Sequence, residues 1–548
     1  MRWSHRTYVR VAAVAFLLPL FGCSSSGGTD GIPLGEKADL AILGKGALLD
    51  DGSSGLSFGF VTPAWTVEST LTIVNTGQLE ARNLQGGAFA TRAFSYKDGA
   101  YPGTGGDCPN GGALAPGASC LLVLTFTPPG EGPFRDTLRI SYEGGRQAPS
   151  LVQIISGTGK PCDPTQEGFG EGDGTSSKPF QICSLAHLQG VSANPAGYFV
   201  LRTALDLEGV TFPPIASGTN FTGNFDGNGH TISNFTYKNG TQDSVGFFGS
   251  LSNATVKNLT LANVDVEGHS SVAGLAGRVT AGTTISNCHV TGGSVSAADS
   301  AGGVVGRLDG SSVTASDSTA GVSATGGGVA GGFVGWMYGA SGSISDSYAT
   351  GTVSGAGSSG GFVGYIYGKA TLTNCHATGS VTGGGSEEGG FAGNVYGAPG
   401  SRVSISRSYA TGSTSGCSNV GGFAGRVYQT DIDNSYATGS VSAKCYWETG
   451  GFVGTVAVST LTNSYSTGSV SGGGSYVGGF LGLLDNFAGT STFQSVFWDT
   501  TSSGMMTSAG DANVVGKTTT EMKDQATFVG WDFDTIWTMP AGRYPALR

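Results

Sequence analysis

Carboxylate side chains are the residues of this sequence that could act as acids or bases, and they are sparse. Twelve lie between residues 245 and 486, and they are Asp265, Glu267, Asp299, Asp309, Asp317, Asp346, Glu387, Glu388, Asp431, Asp433, Glu448 and Asp485. Glycoside hydrolysis needs two carboxylates a few ångströms apart, and a lyase needs a base with cationic or metal partners. Asp431 and Asp433 share a strand face, but no clustering of acids with Lys or Arg recurs. We therefore predict no catalytic residue.

Histidines and glycine-rich segments give no metal or nucleotide motif. The six histidines are His5, His187, His230, His269, His289 and His376, and none lies four residues from another. The H-E-x-x-H signature of zinc peptidases is therefore missing from the sequence. A phosphate-binding loop needs a following helix, which the glycine-rich pentads lack. We expect neither a metal nor a cofactor.

Composition excludes further classes of protein. The formal charge is 27 − 38 = −11, with charged residues few and scattered. This pattern argues against a nucleic-acid-binding face. The 97 glycines follow no G-X-Y period, and 38% of the residues are hydrophobic, so neither collagen nor general disorder fits. Repeated turns explain the glycines better.

The N-terminus has the order of a secretory signal peptide. Basic residues precede an apolar run at 11–21, which is too short to span a bilayer comfortably. Residues 20–23 resemble the lipobox of bacterial lipoproteins, a resemblance that implies lipidation of Cys23. Residues 23–35 then form a flexible tether. We expect an outer-membrane or cell-surface location with this lipid anchor as the contact with the membrane.

Residues 36–159 alternate apolar and polar positions in the manner of strands. The runs at 70–74, 121–126 and 137–142 are each followed by turn residues. A period of two closed by turns predicts an antiparallel β-sandwich. With L-A-P-G-A-S-C at 114–120, the segment resembles the immunoglobulin-like choice-of-anchor D module of bacterial surface proteins. The resemblance implies a spacer or adhesion domain without known chemistry.

The rest of the chain is dominated by a repeat. Pentads resembling G-G-F-V-G end at Gly249, Gly277, Gly306, Gly335, Gly364, Gly393, Gly425, Gly454 and Gly482, at intervals of 28, 29, 29, 29, 29, 32, 29 and 28 residues. Short apolar runs turning at glycines, without a helical pattern, predict a β-solenoid whose coils stack about 4.8 Å apart. Such stacking would align one set of rings, Phe333, Phe362, Phe391, Phe423, Phe452 and Phe480.

A second recurring peptide, N-S-Y-A-T-G at 434–439, predicts another side of each coil. His289 and His376 fall where other repeats have Tyr348, Tyr409 or Tyr436, which favours a packing role for both histidines. A threonine also recurs once in each repeat, at Thr350, Thr378, Thr411, Thr438 and Thr467. These threonines could present an ice-like or crystal-like lattice, but a hydroxyl ladder at a corner of the coil explains them more simply.

G-G-F-V-G followed by S-Y-A-T-G-S-V-S-G resembles the GLUG motif. The resemblance covers about 300 residues and implies a bacterial surface or secreted protein, a group that includes adhesins and some secreted metallopeptidases. Residues 221–232 resemble the start of such arrays, and 497–510 with 531–539 resemble their end. Thr518 to Glu521 fit a capping box before a helix ending near Phe528. We expect this helix, with Trp531, Phe533 and Trp537, to cover the last open edge.

Cys23 is set aside for lipidation, so eight of the nine cysteines are available for disulfide pairing. Cys108 and Cys120 lie in one domain, and Cys162 and Cys183 bracket a glycine-rich loop, so each pair is a disulfide candidate in an oxidising compartment. Cys417 and Cys445 take nearly the same place in adjacent repeats, and coil spacing suits a disulfide. The remaining two, Cys288 and Cys375, lie three repeats apart, and we expect them to be unpaired core residues.

The sequence as a whole predicts an all-β protein: an Ig-like β-sandwich, then a β-solenoid of the right-handed β-helix type with about nine rungs and a C-terminal cap. The predicted segments are a signal peptide (1–22), a tether (23–35), the sandwich (36–159), first coils (160–244), repeats (245–496) and a cap (497–548).

We expect a monomeric, lipid-anchored surface protein without enzymatic activity, with a role in binding, adhesion or envelope structure. Its ligand would be a glycan or a protein that the sequence does not name. The alternative is a polysaccharide-active β-helix enzyme, a lyase or glycoside hydrolase, which would require a groove with clustered acids.

Overall fold

The computed structural model describes residues 37–548 apart from 44–54, 62, 64, 146–148, 161, 163, 165, 167, 171, 281, 446–447 and 488. The signal peptide, most of the tether and Cys23 lie outside these residues. The chain divides into two compact units, one ending at Lys160 and the other beginning at Pro161. No helix in the described part of the chain is long and apolar enough to cross a membrane.

The first unit is a β-sandwich of two four-stranded sheets. Its strands are β1 (Leu40–Leu43), β2 (Leu56–Val61), β3 (Val67–Asn75), β4 (Arg82–Gly86), β5 (Phe94–Tyr96), β6 (Ser119–Phe126), β7 (Gly132–Glu143) and β8 (Ser150–Gly159), with a 3-10 turn at Lys97–Gly99. The sheet orders are β1-β3-β6-β5 and β2-β8-β7-β4. Alternate residues such as Leu122, Leu124 and Phe126 are buried in one core, as the period of two predicts. One pair departs from the antiparallel prediction, because β2 runs parallel to β8.

The second unit is a β-solenoid, which confirms the predicted fold class. Its coils pair in parallel, each residue with its equivalent in the next coil; Val334 pairs with Val363, for example, and Val363 with Ala392. The first coils contain Phe180–Ile182, Tyr198–Leu201, Leu205–Asp206, Asn224–Asp226, Thr231–Ser233 and Thr236–Lys238, and the short helix Leu185–Gly190 with a 3-10 turn at Val191–Ala193. The strands that follow the G-G-F-V-G phenylalanine position are Phe248–Ser252, Ala276–Thr280, Val305–Asp309, Val334–Ala349, Val363–Ala377, Ala392–Tyr396, Ala424–Tyr428, Val453–Ala457 and Leu481–Leu484.

The remaining strands of each coil form further sides. The side before the N-S-Y-A-T-G peptide has Ser312–Thr314, Val403–Ser406, Thr430–Asp433, Thr460–Thr462 and Thr492–Gln494. The longer strands Thr255–Gly268 and Thr284–Ala297 begin on this side and continue past the corner. The peptide itself and the residues after it form Asp317–Ser318, Gly321–Ala324, Val353–Gly355, Val381–Gly383, Tyr409–Ala410, Thr414–Gly416, Tyr436–Ala437, Val441–Ala443, Tyr465–Ser466, Val470–Ser471 and Val496–Asp499. Short strands at Val272–Ala273, Ser300–Gly302, Val329–Gly331, Ser359–Gly360, Glu388–Gly389, Val420–Gly421, Thr449–Gly450 and Val477–Gly478 close each coil as a separate sheet.

The predicted phenylalanine column lies in the solenoid core. Its six rings are fully buried. Consecutive ring centroids are 4.7, 5.0, 4.8, 4.8 and 4.8 Å apart, with interplanar angles between 8° and 15°. Face-to-face contact at the coil spacing makes every ring a neighbour of its own equivalent, so a change in register would disrupt the whole column.

The N-S-Y-A-T-G peptide turns a corner at its first residue. The equivalent residues of nine coils have φ between 46° and 56°, and they are Asn258, Asn287, Ala315, Asp346, Asn374, Arg407, Asn434, Asn463 and Ser495. Asparagine tolerates this left-handed conformation better than most residues, which explains its recurrence. The corner also changes the alternation, because Thr373 and Asn374 both lie outside whereas Cys375 is buried.

The serine after the corner supplies hydrogen bonds inside the solenoid. Ser435 Oγ accepts the Ser408 N–H at 3.3 Å and donates to the Asp433 carbonyl at 2.9 Å. Ser464 Oγ in turn accepts the Ser435 N–H at 3.2 Å. Two coils have cysteine here, and the Cys375 N–H still donates to Ser408 Oγ at 3.3 Å. The small polar residue therefore satisfies the buried backbone where the corner breaks the strand ladder.

The C-terminal segment contains the predicted capping box, but its helix is shorter than predicted. Glu521 Oε2 accepts the Thr518 N–H at 2.8 Å, and the helix Thr519–Met522 is followed by a 3-10 turn at Gln525–Thr527. The other elements of this region are the helix Thr500–Ser503 and the strands Val514–Lys517, Trp537–Thr538 and Ala546–Leu547.

The aromatic side chains of this segment pack against the side of the last coils, whereas we predicted that they cover the open edge. The rings of Trp531 and Trp537 each lie 6.2 Å from the ring of Tyr465. Trp537 Nε1 donates to Asn434 Oδ1 at 2.8 Å, and Tyr465 Oη donates to the Pro545 carbonyl at 2.6 Å.

We expect Ser435→Ala to lower the free energy of unfolding by about 1–3 kcal/mol, because the buried Ser408 N–H loses its acceptor. Ser435→Cys should cost less, since cysteine occupies the equivalent position in two coils. Thermal and urea unfolding followed by circular dichroism will measure both. Equal losses for the two variants, or no loss for the alanine variant, would contradict this role of the serine.

Candidate functional site

The acidic residues that an enzyme would need are mostly engaged with cations or hydrogen-bond donors. A carboxylate oxygen of Asp431 lies 2.6 Å from Arg402 Nη2, and one of Asp309 lies 3.0 Å from Arg307 Nε. Asp433 Oδ1 accepts from Thr462 Oγ1 at 2.6 Å. Asp431 and Asp433 share the outward side of one strand, as predicted, but each has its own partner. Asp431 and Asp433 thus contact neighbouring coils, whereas Asp309 pairs with Arg307 on its own strand.

The histidines at the tyrosine position lie in the predicted column. His289 pairs in register with Asp317, and the column continues through Tyr348, His376 and Tyr409. Asp317 is buried and hydrogen-bonds with His289 Nδ1. The His376 ring stacks 5.0 Å from Tyr348 and 4.6 Å from Tyr409. Burial lowers the pKa of His376, which suits an uncharged ring in a stack.

The six cysteines proposed for disulfides are joined in the predicted pairs, and they are Cys108–Cys120, Cys162–Cys183 and Cys417–Cys445. The last pair links equivalent corners of adjacent coils, with Cα atoms 4.8 Å apart. Cys288 and Cys375 are free and buried, and burial raises the pKa of both thiols to about 12. These thiols are therefore inert core groups.

Within the described part of the chain, one group combines histidine and cysteine closely enough to suggest a metal site. His187 Nδ1 lies 3.4 Å from Cys183 Sγ, and Cys162 is the third member. Both sulfurs belong to one disulfide, so neither is available as a thiolate ligand.

The candidate binding site is an aromatic surface that the sequence reasoning missed. We call it the tyrosine face, and it consists of Arg307, Trp336, Tyr338, Tyr365, Tyr367, Asn394, Tyr396, Arg426 and Tyr428. These residues occupy alternate, outward positions on the strands after the phenylalanine column. Parallel register aligns them in two columns, one running from Arg307 to Arg426 and the other from Tyr338 to Tyr428.

The second column is a ladder of four tyrosines. Ring centroids are 5.4 Å apart between Tyr338 and Tyr367, 5.6 Å between Tyr367 and Tyr396, and 4.5 Å between Tyr396 and Tyr428. The interplanar angles lie between 10° and 19°. Tyr338, at one end, is 41% exposed. The rings thus cover one another's faces and present their edges and hydroxyl groups outward.

The first column is more varied and more polar. The Trp336 ring meets Tyr365 edge-on at 5.6 Å, and the Arg307 guanidinium lies 5.5 Å from the Trp336 ring centre and 4.9 Å from that of Tyr338. Asn394 and Arg426 continue the column. Cation–π contacts of this kind fix the arginine over the rings.

Three polar atoms of this column are buried without a hydrogen-bond partner among the described residues, and they are Trp336 Nε1, Asn394 Oδ1 and Arg426 Nε. Unpaired buried polar groups are costly, so three of them in one column are unusual. The face offers donors, an acceptor, hydroxyl groups and aromatic edges, but no acid–base pair.

A signal for this face was present in the sequence. The residues after each pentad read G-W-M-Y, G-Y-I-Y, G-N-V-Y and G-R-V-Y at 335–338, 364–367, 393–396 and 425–428. The alternation of outward aromatic or polar residues with an inward Met, Ile or Val is visible once the four segments are aligned.

Glu388 is a buried acid in the short strand Glu388–Gly389, one of those that close each coil. Its side chain occupies space left by Gly383 and Gly416, where a Cβ atom would meet the carboxylate oxygens. Oε1 accepts the Gly385 N–H at 2.9 Å. Burial raises the pKa of Glu388 to about 7, against the opposing effect of the backbone N–H groups of Gly385 and Cys417.

Family models match two parts of the solenoid. Residues 184–292 match the N-terminal region of the M26 IgA1-specific metallo-endopeptidases. Residues 355–382 and 416–442 match the GLUG motif, which confirms the resemblance seen in the repeats. The chain is thus a β-solenoid protein carrying GLUG motifs.

Similarity to individual proteins is local or distant. The chain is 32% identical to Halomucin of Haloquadratum walsbyi over 189 residues, which are 31% of this chain and 2% of Halomucin. A putative immunoglobulin A1 protease from Bacteroides ovatus is 20% identical, covering 69% of this chain and 95% of that structure, with a TM-score of 0.37. A structure titled IgA1 Protease is 14% identical, covering 74% of this chain and 28% of that one, with a TM-score of 0.29.

The buried carboxyl predicts a pH dependence of stability. The folded-state pKa of about 7 exceeds the ordinary value of 4.5, so the folded chain holds a proton that the unfolded chain releases between these two pH values. Stability should therefore fall by up to about 3 kcal/mol as pH rises from 4.5 to 7, and then level off.

Glu388→Gln should remove this loss and raise the melting temperature at pH 8 relative to the unsubstituted chain, with little difference at pH 4.5. The neighbouring Glu387→Gln removes a charge that also contributes to the raised pKa of Glu388, so it should reduce the loss by less than Glu388→Gln does. Thermal unfolding of the three proteins across this pH range is the measurement. A Glu388→Gln protein that melts lower at pH 8 would refute the buried-acid explanation.

Proposed function

We propose that this chain is a lipid-anchored protein of the outer membrane or cell surface whose β-solenoid has a non-catalytic role in binding or adhesion. The observation that carries the proposal is the tyrosine face. It is a rigid array of stacked rings with exposed edges, and rigid aromatic side chains bind ligands at a low cost in conformational entropy.

The structure of the array supports binding rather than catalysis. Nine side chains from five adjacent coils form a continuous surface without a carboxylate pair at its centre. Catalysis needs groups with tuned proton affinities, whereas binding needs shape and complementary polarity. The tyrosine face offers shape and complementary polarity.

Other features support the proposed location. The lipobox-like residues 20–23 would place a lipid on Cys23, the membrane being the partner, and the disulfides favour an oxidising compartment. The GLUG motifs and the local match to Halomucin support a cell-surface protein. In this proposal the protein acts as a monomer, with the β-sandwich as a spacer between the anchor and the solenoid.

The anchor can be tested by Cys23→Ala in the native host. We expect the protein to move from the membrane fraction to the medium or periplasm and to lose incorporation of labelled fatty acid. Protease treatment of intact cells should digest the unsubstituted protein, because it is exposed outside. Retention of Cys23→Ala in the membrane fraction, or full protection from protease on intact cells, would refute a surface-exposed lipoprotein.

The binding role can be tested by attachment of intact cells to a panel of biological surfaces. Removing two rings of the tyrosine face with Tyr367→Ala and Tyr396→Ala should reduce attachment about tenfold if the face makes the contact. The control is His376→Ala with Tyr409→Ala, which removes two stacked rings from a different side of the same coils.

Equal attachment of both variants and the unsubstituted strain would contradict a binding role of the tyrosine face. Cleavage of any polymer of the panel by the purified protein would contradict the non-catalytic role. Surface levels of all variants, measured with an antibody to the β-sandwich, establish that differences come from the face.

A further inference from the structure

The spacing of the tyrosine face selects the kind of ligand. Successive ring centroids of its ladder are 5.4, 5.6 and 4.5 Å apart, with one ring in each coil. A peptide strand laid along the axis would place side chains of one face about 6.6–6.8 Å apart, and it would lose register within the four coils. One sugar unit of an extended polysaccharide is close in length to one coil. A polymer of pyranose units would therefore meet equivalent groups at each step.

The chemistry of the face fits the same class of ligand. Sugars present alternating hydroxyl and C–H groups, and tyrosine edges offer a hydroxyl group beside an apolar ring. The neighbouring column adds the Tyr365 ring and the Arg426 guanidinium beside the ladder. Together they match a ligand that hydrogen-bonds and makes apolar contacts along its whole length.

Arg426 distinguishes between neutral and acidic sugars. Arg307 pairs with Asp309, and so does Arg278. Arg426 takes part in none of the ion pairs found among the described residues, and its Nε is buried without a hydrogen-bond partner. A guanidinium without an ion-pair partner is the group that a ligand carboxylate would pair with.

A second tyrosine ladder in the same solenoid is covered by another segment of the same chain. The column that contains Tyr436 and Tyr465 is covered at its C-terminal end by Trp531 and Trp537. Tyr465 is fully buried as a result. Tyr338, at the end of the tyrosine face, remains 41% exposed. The protein thus covers one ladder with its own chain and leaves the other accessible.

Building on the binding role proposed above, we propose that the tyrosine face binds an extended polysaccharide containing carboxylated sugars, aligned with the solenoid axis. The tyrosine ladder contacts successive sugar units, and Arg426 pairs with a carboxylate.

The test is calorimetric titration of the purified protein with a hexamer of β-1,4-linked mannuronate and with the neutral hexamer of β-1,4-linked mannose. We expect the acidic hexamer to bind about fivefold more tightly, corresponding to about one charge-assisted contact. Raising the salt concentration to about 0.5 M should remove most of this preference. Arg426→Gln should abolish the preference for the acidic hexamer.

Ring removal tests the ladder separately. Tyr367→Ala with Tyr396→Ala should weaken both hexamers about tenfold, whereas His376→Ala with Tyr409→Ala should weaken neither. The corresponding Tyr→Phe pair keeps the stack and removes only the hydroxyl groups, so an intermediate loss is expected. Circular dichroism of every variant verifies the fold.

Three results would overturn the inference. These are no binding of either hexamer to the unsubstituted protein, equal losses in the two ring-deleted proteins, and an acidic preference that persists in Arg426→Gln. If cells still attach through the tyrosine face while the purified protein binds neither hexamer, the polysaccharide assignment fails and the binding role stands. If the ring deletions leave attachment intact but hexamers bind, the surface role fails instead.

Discussion

In-register parallel stacking is the constraint on which the rest of the solenoid depends. Each residue lies above its equivalent, so every coil must turn at the same points and place its side chains on the same sides. The left-handed corner at Asn434 and its equivalents keeps the turn constant, and serines such as Ser435 satisfy the backbone there. The phenylalanine column inside the solenoid and the tyrosine ladders on its outer sides both follow from this in-register stacking.

The sequence was most informative where the repeat itself carries the information. The intervals between pentads predicted the coil, the phenylalanine column and the Cys417–Cys445 pair, because stacking turns equal sequence position into spatial proximity. It was least informative about the outer surface. Trp336, Met337 and Tyr338 read as one apolar run, and only the inward direction of Met337 separates the tyrosine face from the core. The C-terminal aromatics were recognised, but the contacts of their segment with Tyr465 and Asn434 join residues 80 and 103 positions apart, which no local pattern encodes.

The two tyrosine ladders have the same stacked arrangement but different surroundings. Around Tyr465, stacked rings form a small core with the C-terminal segment and join it to the last coils. On the tyrosine face, the same spacing leaves hydroxyl groups and ring edges outside. Stacking a tyrosine on its equivalent adds contact area without altering the backbone, so a repeat can acquire an aromatic surface through substitutions at outward positions alone.

The disulfide between Cys417 and Cys445 has a mechanical consequence. A solenoid pulled from its ends can lose one coil at a time, because each coil contacts mainly its two neighbours. The bond joins residues 28 apart in sequence, so the segment between them withholds roughly 90–100 Å of extended chain from the pulling force. When peeling from the C-terminus reaches Cys445, the bond passes the force directly to Cys417, and the chain between these two residues is not extended.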